Sequence, residues 1–450
     1  MIQHLIWLLM KNKIASCFEK KRLDKLCRSF SGGTPSKDNK LFWIGNIPWA
    51  SPKDMKEFYL SETEDYISED AVKNSSTNIA PENSMLIVFR SGILQHTIPV
   101  AVTIKNMAFN QDIKALIFKE NIIPAYTAYF FTIYQSKLIP LLVKHSTTVQ
   151  SINSAQFDRL EIPVPPLAMQ SAIVAKMDAA YASKKEKEAE AQRLLDSIDD
   201  YLLGELGIEL PEQEENTIQS RIFTRRFSEI SGGRLDPIYF FAKLESFHSG
   251  KYESFKLSSI ASDFSSGVGA GKQDQVFELD GIIQIRPTNI DQYGNLKYDK
   301  NVYLANDFQG GKIKKDDVLF NNTNSQVLVG KTAVLKEERD LFFSNHITKI
   351  TVDKKKAVPD YLMLVLNSYQ KHRVFFSICT NWNNQSGIGL DLLKSLKIPL
   401  PPLSVQTEIA DHIAQIRSRA KQLQQEAVEG LEQAKLEVEA MLLGDSSETL

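Results

Sequence analysis

The chain has 450 residues, too many for one ordinary domain. Its hydrophobic fraction of 43% and charged fraction of 24% are those of a globular protein. A formal net charge of −2 excludes a global pull toward nucleic acid, so any DNA contact must come from local basic patches or from partners.

The three cysteines, Cys17, Cys27 and Cys379, are too few and too scattered for a disulfide framework or a zinc site. No metal is expected, and the cysteine usage suits a reducing cytoplasm. Met1 to Met10 is apolar but too short to span a bilayer, and it lacks the basic n-region of a signal peptide. It reads as a packed helix of the first domain, and no membrane association is expected. Lys21 to Leu160 then mixes short apolar runs with Gly, Pro and Asn punctuation. A turn is predicted at Ser31-Gly32-Gly33-Thr34-Pro35, with strands at Ile44 to Trp49, Met85 to Phe89 and Pro99 to Ile104. Ile123 to Leu142 reads as a buried helix pair broken at Pro140.

From Ala168 the pattern becomes a long helix. Pro165 and Pro166 stand at its entrance, and Gly204 is placed for a left-handed cap. Its seam is Ile173, Met177, Ala180, Lys184, Lys187, Ala191, Leu194, Ile198 and Tyr201, at the alternating four and three of a coiled coil. Such a helix is roughly 55 Å long. Lys184 and Lys187 read either as a solvated stretch where helices splay or as a contact with a partner.

An acidic linker, Glu209 to Glu215, leads to a second mixed domain from Arg221 to Leu396. Its predicted strands are Ile282 to Ile285, Val318 to Phe320, Ala333 to Leu335 and Ile347 to Val352. A second long helix follows from Ser404 to Gly444. Its seam is Ile409, Ile413, Ile416, Ala420, Leu423, Ala427, Leu431, Ala434, Val438 and Met441. Two four-residue steps meet at Leu423, Ala427 and Leu431, a stutter that locally unwinds a left-handed supercoil.

One stretch occurs twice. Leu160-Glu161-Ile162-Pro163-Val164-Pro165-Pro166-Leu167 leads to Gln170 and Ile173; Leu396-Lys397-Ile398-Pro399-Leu400-Pro401-Pro402-Leu403 leads to Gln406 and Ile409, 236 residues later (160 to 396). Such repeats set an architecture. Weaker matches join Ile47 with Ile283 and Ile152 with Ile388, also 236 apart, and Asn110 with Asn345, 235 apart. The opening helix recurs on this reading, with Leu5 to Met10 matched by Tyr239 to Leu244. Leu202-Leu203-Gly204 and Leu442-Leu443-Gly444 are 240 apart (203 to 443), which predicts an extra helical turn in the second helix. The expected fold is two α/β (α+β) domains separated by two long antiparallel coiled-coil helices in a pseudo-twofold arrangement. DNA is itself locally twofold, and dimeric readers present two surfaces about 34 Å apart. The segments expected are 1–160, 161–205 (first long helix), 206–395 (linker and second domain), 396–444 (second long helix) and a 445–450 tail.

The repeated Pro-Pro-Leu-x-x-Gln-x-x-Ile signature, each time before a long helix, resembles the specificity subunit of type I restriction-modification systems. Ser31 to Pro35 with Ile47-Pro48-Trp49, and Asp317-Val318-Leu319-Phe320-Asn321 with Val329-Gly330-Lys331-Thr332-Ala333, are similar to motifs of that family's target recognition domains. The resemblance covers nearly the whole chain. It implies a non-catalytic subunit that reads a bipartite double-stranded DNA target with a non-specific spacer. It also implies recruitment of two adenine-N6 methyltransferase subunits and, through them, restriction/translocase subunits. This chain would bind no cofactor; the methyltransferases would use S-adenosylmethionine. The extra turn would put the spacer length in doubt.

Loop residues of types suited to base edges are the candidates for DNA contact. In the first domain these are Ser51, Lys53, Arg90, Ser91, Gln95, Asn110, Gln111 and Thr148. In the second they are Lys272, Arg286, Thr288, Asn289, Asn321, Asn322, Thr323, Asn324, Lys331, Asn345 and His346, with Asn321 to Ser325 the most persuasive cluster. Each also has a plainer reading as a turn cap or phosphate contact. Two rival readings are an interaction scaffold without DNA specificity and a methyltransferase. For the second, Asp236-Pro237-Ile238-Tyr239 resembles an amino-methyltransferase motif, and Phe264 to Gly271 a glycine-rich S-adenosylmethionine loop. The first motif lacks its second proline, and the two lie too close for an intervening α/β core; Asp236 and Pro237 read more simply as a helix start. A phosphate-loop reading of Gly267 to Lys272 fails because Ser266 and Gln273 stand where Gly and Ser or Thr are needed.

Overall fold

The computed structural model describes residues 14–144, 149–211, 217–219, 222, 224, 226, 227, 244–278, 281–382 and 385–444. The predicted opening helix, its proposed recurrence at Tyr239, most of the acidic linker, the Asp236 motif and the 445–450 tail lie outside them. The chain packs as two compact units, Met1–Ala189 with Leu423–Leu450, and Glu190–Gln422.

In the first unit a five-stranded sheet runs in the order Cys27–Ser31, Ile113–Phe118, Met85–Val88, Val100–Thr103, Tyr59–Leu60. Beside it lies a four-stranded sheet, Asp65–Ile67, Ile47–Ala50, Met107–Phe109, Asn78–Ala80. The helices Pro124–Ile133 and Gln135–Leu142 complete its core. They part at Tyr134, not at Pro140, which lies inside the second helix. The second unit repeats this plan. Ala261–Ser266, Ile347–Val352, Val318–Asn321 and Thr332–Val334 form one sheet; Gln275–Val276, Tyr303–Ala305, Gly281–Ile285, Leu341–Phe343 and Lys312–Ile313 form the other. Pro359–Lys371 and Val374–Ile378 are its core helices.

The repeated stretch is the joint between each mixed domain and its long helix. Glu161–Pro163 pairs antiparallel with Lys20–Arg22, and Lys397–Pro399 pairs in the same way with Ser254–Lys256. The glutamine of the signature is fully buried in both copies and uses both ends of its amide. Gln170 accepts from Ile123 N (2.8 Å) and donates to the carbonyls of Asn121 (3.0 Å) and Pro165 (2.9 Å). Gln406 accepts from Val358 N (2.9 Å) and donates to those of Lys356 (3.2 Å) and Pro401 (2.8 Å). Each therefore satisfies backbone groups at the entrance of a buried helix that starts with proline, where an orphaned polar group is costly. Tyr126 and Tyr361 add the matching bonds to the carbonyls of Pro163 and Pro399.

The first long helix is Leu167–Leu206 and the second Leu403–Leu443, 40 and 41 residues. The expected extra turn is absent. The first helix runs through Gly204, and its left-handed glycine is Gly207 (φ +63°), as Gly444 (φ +84°) is for the second. Leu206 O accepts from Lys251 N and Leu442 O from Cys17 N, which aligns the ends at the same 236-residue offset as the starts. The Leu-Leu-Gly likeness was a coincidence one turn out of step. Nor is the stutter confined to the second helix. Lys187, Ala191 and Leu195 sit 236 before Leu423, Ala427 and Leu431, with the same two four-residue steps.

Ile173, Met177, Ile198, Leu202 and Leu206 are buried on the first helix. Leu195 and Tyr201 are half-buried against the apolar cluster of the second unit, and Leu194 is half-buried beside them. Ile409, Ile413, Leu423, Leu431 and Val438 are buried on the second helix, with Ile416 and Met441 half-buried. Inside the first unit Lys176 pairs with Glu437, and Lys187 with Glu426 at 2.9 Å. Both number pairs sum to 613, so the helices are antiparallel there. Inside the second unit the Tyr201 ring packs tilted against His412 (4.3 Å), with the same sum. Lys187 is thus engaged by the opposite helix, and Lys184 by Glu188 (3.3 Å).

Candidate nucleic-acid interface

Shared hydrogen bonds align the two domains residue by residue. Phe89 N donates to Asp112 O (2.7 Å) and Phe89 O accepts from Ile152 N (2.8 Å); Asn322 makes the same two bonds with His346 O (3.0 Å) and Ile388 N (2.9 Å). Arg90 and Thr323 are therefore equivalent, as are Ser91 and Asn324, and Gln111 and Asn345. Asn110 N donates to Ala50 O and Ser344 N to Ile285 O, which corrects the Asn110–Asn345 match by one position. The strand pairings of Trp49 with Ala108 and of Gln284 with Phe342 likewise align Ile47 with Ile282 rather than Ile283. Ser51 N is held by Asp54 Oδ2 (2.9 Å) and Arg286 N by Asn289 Oδ1 (3.0 Å), which makes Ser51 equivalent to Arg286 and Lys53 to Thr288.

Five candidate positions thus recur at the same places in both domains. In each the Gln111/Asn345 position lies against one glycine turn: Gln111 accepts from Thr34, and Asn345 Oδ1 lies 3.4 Å from where a Cβ on Gly269 would sit. A Cβ on Gly32 would lie 2.0 Å from Phe109 O, and one on Gly267 2.2 Å from Phe343 O. Neither leaves room for a side chain. Gly267 is therefore packed on its own sheet, and Gln284 Nε2 holds the next residue through Val268 O (2.8 Å). Trp49 Nε1 does the same for the first turn through Gly33 O (3.0 Å).

Among these positions Arg90 is exposed and pairs with Asp112 (3.2 Å). Lys53 pairs with Glu64 (2.9 Å) and Asp65 (3.2 Å). Ser91 caps the turn Gly92–Gln95, whose last residue is exposed. Ser51 is buried and donates to Asp54 (2.7 Å), and Gln111 is exposed and accepts from Thr34 (2.5 Å). Asn110 is buried against Asp112 (3.0 Å). Thr148 lies outside the described residues. In the second unit Lys272, Thr288 and Asn345 are exposed, and His346, Thr323 and Asn324 half-exposed. Arg286 reaches Gln284 (2.9 Å), and burial draws its guanidinium below its ordinary pKa.

Four candidates are framework. Asn289 is buried and donates to Lys297 O (2.8 Å). Asn321 is buried and braces its hairpin by donating to Leu328 O (3.1 Å). Asn322 donates to Thr348 Oγ1 (2.9 Å). Lys331 turns inward onto Ile290 O (2.5 Å) and Pro287 O (3.4 Å), and burial lowers its pKa. The Asn321 to Ser325 cluster therefore splits: its first two residues face the core and only Thr323 onward faces solvent. Gly330 closes the same hairpin at φ +94°, with the Phe375 ring 2.1 Å from where a Cβ would sit.

The sequence reading missed a hairpin beside this surface. Thr380–Trp382 pairs with Gln385–Gly387, which pairs in turn with Thr323–Asn324. Trp382 is 59% exposed on it, an aromatic face among amides. A lone tryptophan in Thr380 to Ser386, an otherwise small and polar run, was the available signal. In the first unit Val143–Lys144 and Ser151–Ile152 occupy the equivalent place. Thr323 and Asn324, half-exposed on the strand paired with this hairpin, and the exposed Trp382 are of types suited to base edges and the thymine methyl. Among the described residues no group of His, Cys, Asp and Glu is arranged to hold a metal, and no helix is long and apolar enough to cross a membrane.

Comparison with known proteins agrees in kind. The sequence profile of the family described as Type I restriction modification DNA specificity domain matches residues 16–193 and 270–433. The EcoR124I/EcoR124II specificity subunit of Escherichia coli is 40% identical over 161 residues, 36% of this chain and 40% of that protein. The MjaIX specificity subunit of Methanocaldococcus jannaschii is 28% identical over 156 residues, 34% of this chain and 35% of that one. These alignments thus span well under half of either relative. A chain solved in work on complex assembly and conformational transition of the type I R-M system superposes with a TM-score of 0.57 at 15% identity. It covers 96% of this chain and 97% of that one, and shares its fold.

Proposed function

Because the chain belongs to the type I restriction-modification DNA specificity family, we propose that it is the DNA-reading subunit of such a complex and reads a bipartite, asymmetric target. The observation that carries this reading is the recurrence of five polar positions, from Ser51/Arg286 to Gln111/Asn345, at equivalent places in two unlike domains. Equal frames present unequal side chains, which suits two different half-sites. Base-edge contacts would supply specificity, and the lysines and arginines would supply salt-dependent affinity. The relatives are named as specificity subunits, and the matched family is a DNA specificity domain rather than a catalytic one. Chemistry then falls to partners: two methyltransferase subunits using S-adenosylmethionine, and restriction subunits joined through them, with the long helices as spacer and docking surface. On this reading the protein works in the cytoplasm, with the DNA.

Sequencing modified adenines in cells with and without the gene tests the reading. Loss of a two-part motif with a fixed gap is the expected result. Unchanged methylation would leave an interaction scaffold as the better account.

A further inference from the structure

The two units differ at one internal position in a way that surface variation does not explain. In the first unit Tyr129 is stacked between Phe58 (3.9 Å, 10°) and Tyr181 (5.9 Å, 19°). Its hydroxyl donates to Asp178 Oδ1 (2.5 Å), which also accepts from Tyr59. The same offsets carry Phe58, Tyr129 and Tyr181 to Tyr293, Leu364 and Arg417 in the second unit (235, 235 and 236 residues on). These three residues line a cavity of about 330 Å³, which Leu195, Asn367 and Lys371 also border. Where one copy holds its own ring, the other holds a leucine and an open space.

The polarity is inverted as well. Asp178, the acceptor that closes the first site, is Ala414 in the second, and a cation replaces Tyr181. Arg417 Nε is buried without a hydrogen-bond partner among the described residues. The carboxylates whose charges act on it, Asp291 and Asp360, are engaged by Lys297 (3.7 Å) and Lys336. Of the acids at the cavity wall, Asp199 is occupied by Ser368 (2.7 Å) and His372 (2.5 Å), and Asp196 by Gln192 (2.8 Å). With those acids engaged, the Arg417 side chain at the cavity wall is a cation open to an anionic ligand.

We propose that this cavity is a binding site for a small planar aromatic acid. Its ring takes the place that Tyr129 fills in the first unit, and its anionic edge accepts from Arg417. The size is at the lower end of small-molecule pockets, and Tyr293 provides a ring face. This inference is independent of DNA reading, since none of the recurring surface positions lines the cavity.

Titrating the full chain with benzoate tests it, with cyclohexanecarboxylate (charge without a planar ring) and benzyl alcohol (ring without charge) as comparison probes. Saturable binding of one benzoate is expected, with each comparison probe weaker by roughly tenfold. Leu364→Tyr should fill the site and abolish binding without lowering the unfolding midpoint. Arg417→Gln should weaken benzoate by roughly tenfold with the fold intact. Absence of saturable binding, equal binding of the three probes, or benzoate binding that survives both substitutions would overturn the proposal.

Discussion

The two mixed domains agree at the joints to their long helices and part company where they are exposed. Gln170 and Gln406 bond to the same three backbone groups, and Tyr126 and Tyr361 to the same proline carbonyl. At the surface Thr288 stands where the first domain has Lys53, Thr323 where it has Arg90, and Asn345 where it has Gln111. Buried polar groups have few solutions, because each unmade hydrogen bond is expensive. Loop side chains in water face no such constraint. The repeat thus keeps one buried joint and leaves the exposed loops free to vary.

The largest effect should come from breaking that joint. Gln406→Leu orphans Val358 N and the carbonyls of Lys356 and Pro401, and should cost roughly 3 kcal/mol of unfolding free energy in denaturant titration. Gln170→Leu should cost a similar amount in the first unit. A loss below about 1 kcal/mol in either would mean that the glutamines are not the joints described here.

A smaller effect sharpens the comparison at a buried position where the copies differ. Asp199 corresponds to Lys435, which pairs with Glu432 (2.6 Å). Burial alone would raise the Asp199 carboxyl, but hydrogen bonds from His372 and Ser368 and the charges of His372 and Lys371 outweigh it and hold the pKa low. A carboxyl depressed by folding stabilises fully above its unfolded-state pKa and loses that contribution as pH falls through the folded-state value. Acid should therefore loosen the second unit around Asp199, as read by hydrogen exchange there, and Asp199→Asn should flatten that pH dependence while costing about 1 kcal/mol near neutral pH. Exchange around Asp199 with the same pH dependence in the variant as in the parent chain would contradict this.

How much of this was legible in sequence follows the same physics. The Pro-Pro-Leu-x-x-Gln stretch showed itself because a buried, fully bonded joint tolerates little change. The strand Ile347–Val352 was readable from its β-branched alternation. Cys27–Ser31 was not, since its residues are half-exposed and carry no apolar period. The first helix end was misread because Gly204 looks like a cap, yet the next turn still had Leu206 to bury; local cap chemistry lost to packing. Asn321 and Lys331 were read as outward because their residue types suit DNA, whereas hairpin closure and carbonyl contacts turn them inward. Trp382 escaped because the residue types searched for were polar.

The central claim is that each domain reads its own half of one target. Exchanging residues 21–160 for the matching domain of another specificity subunit, then sequencing methylated adenines in cells, tests it most directly. One half of the motif should change while the other half stays as before. A change in both halves, or in neither, would contradict the account.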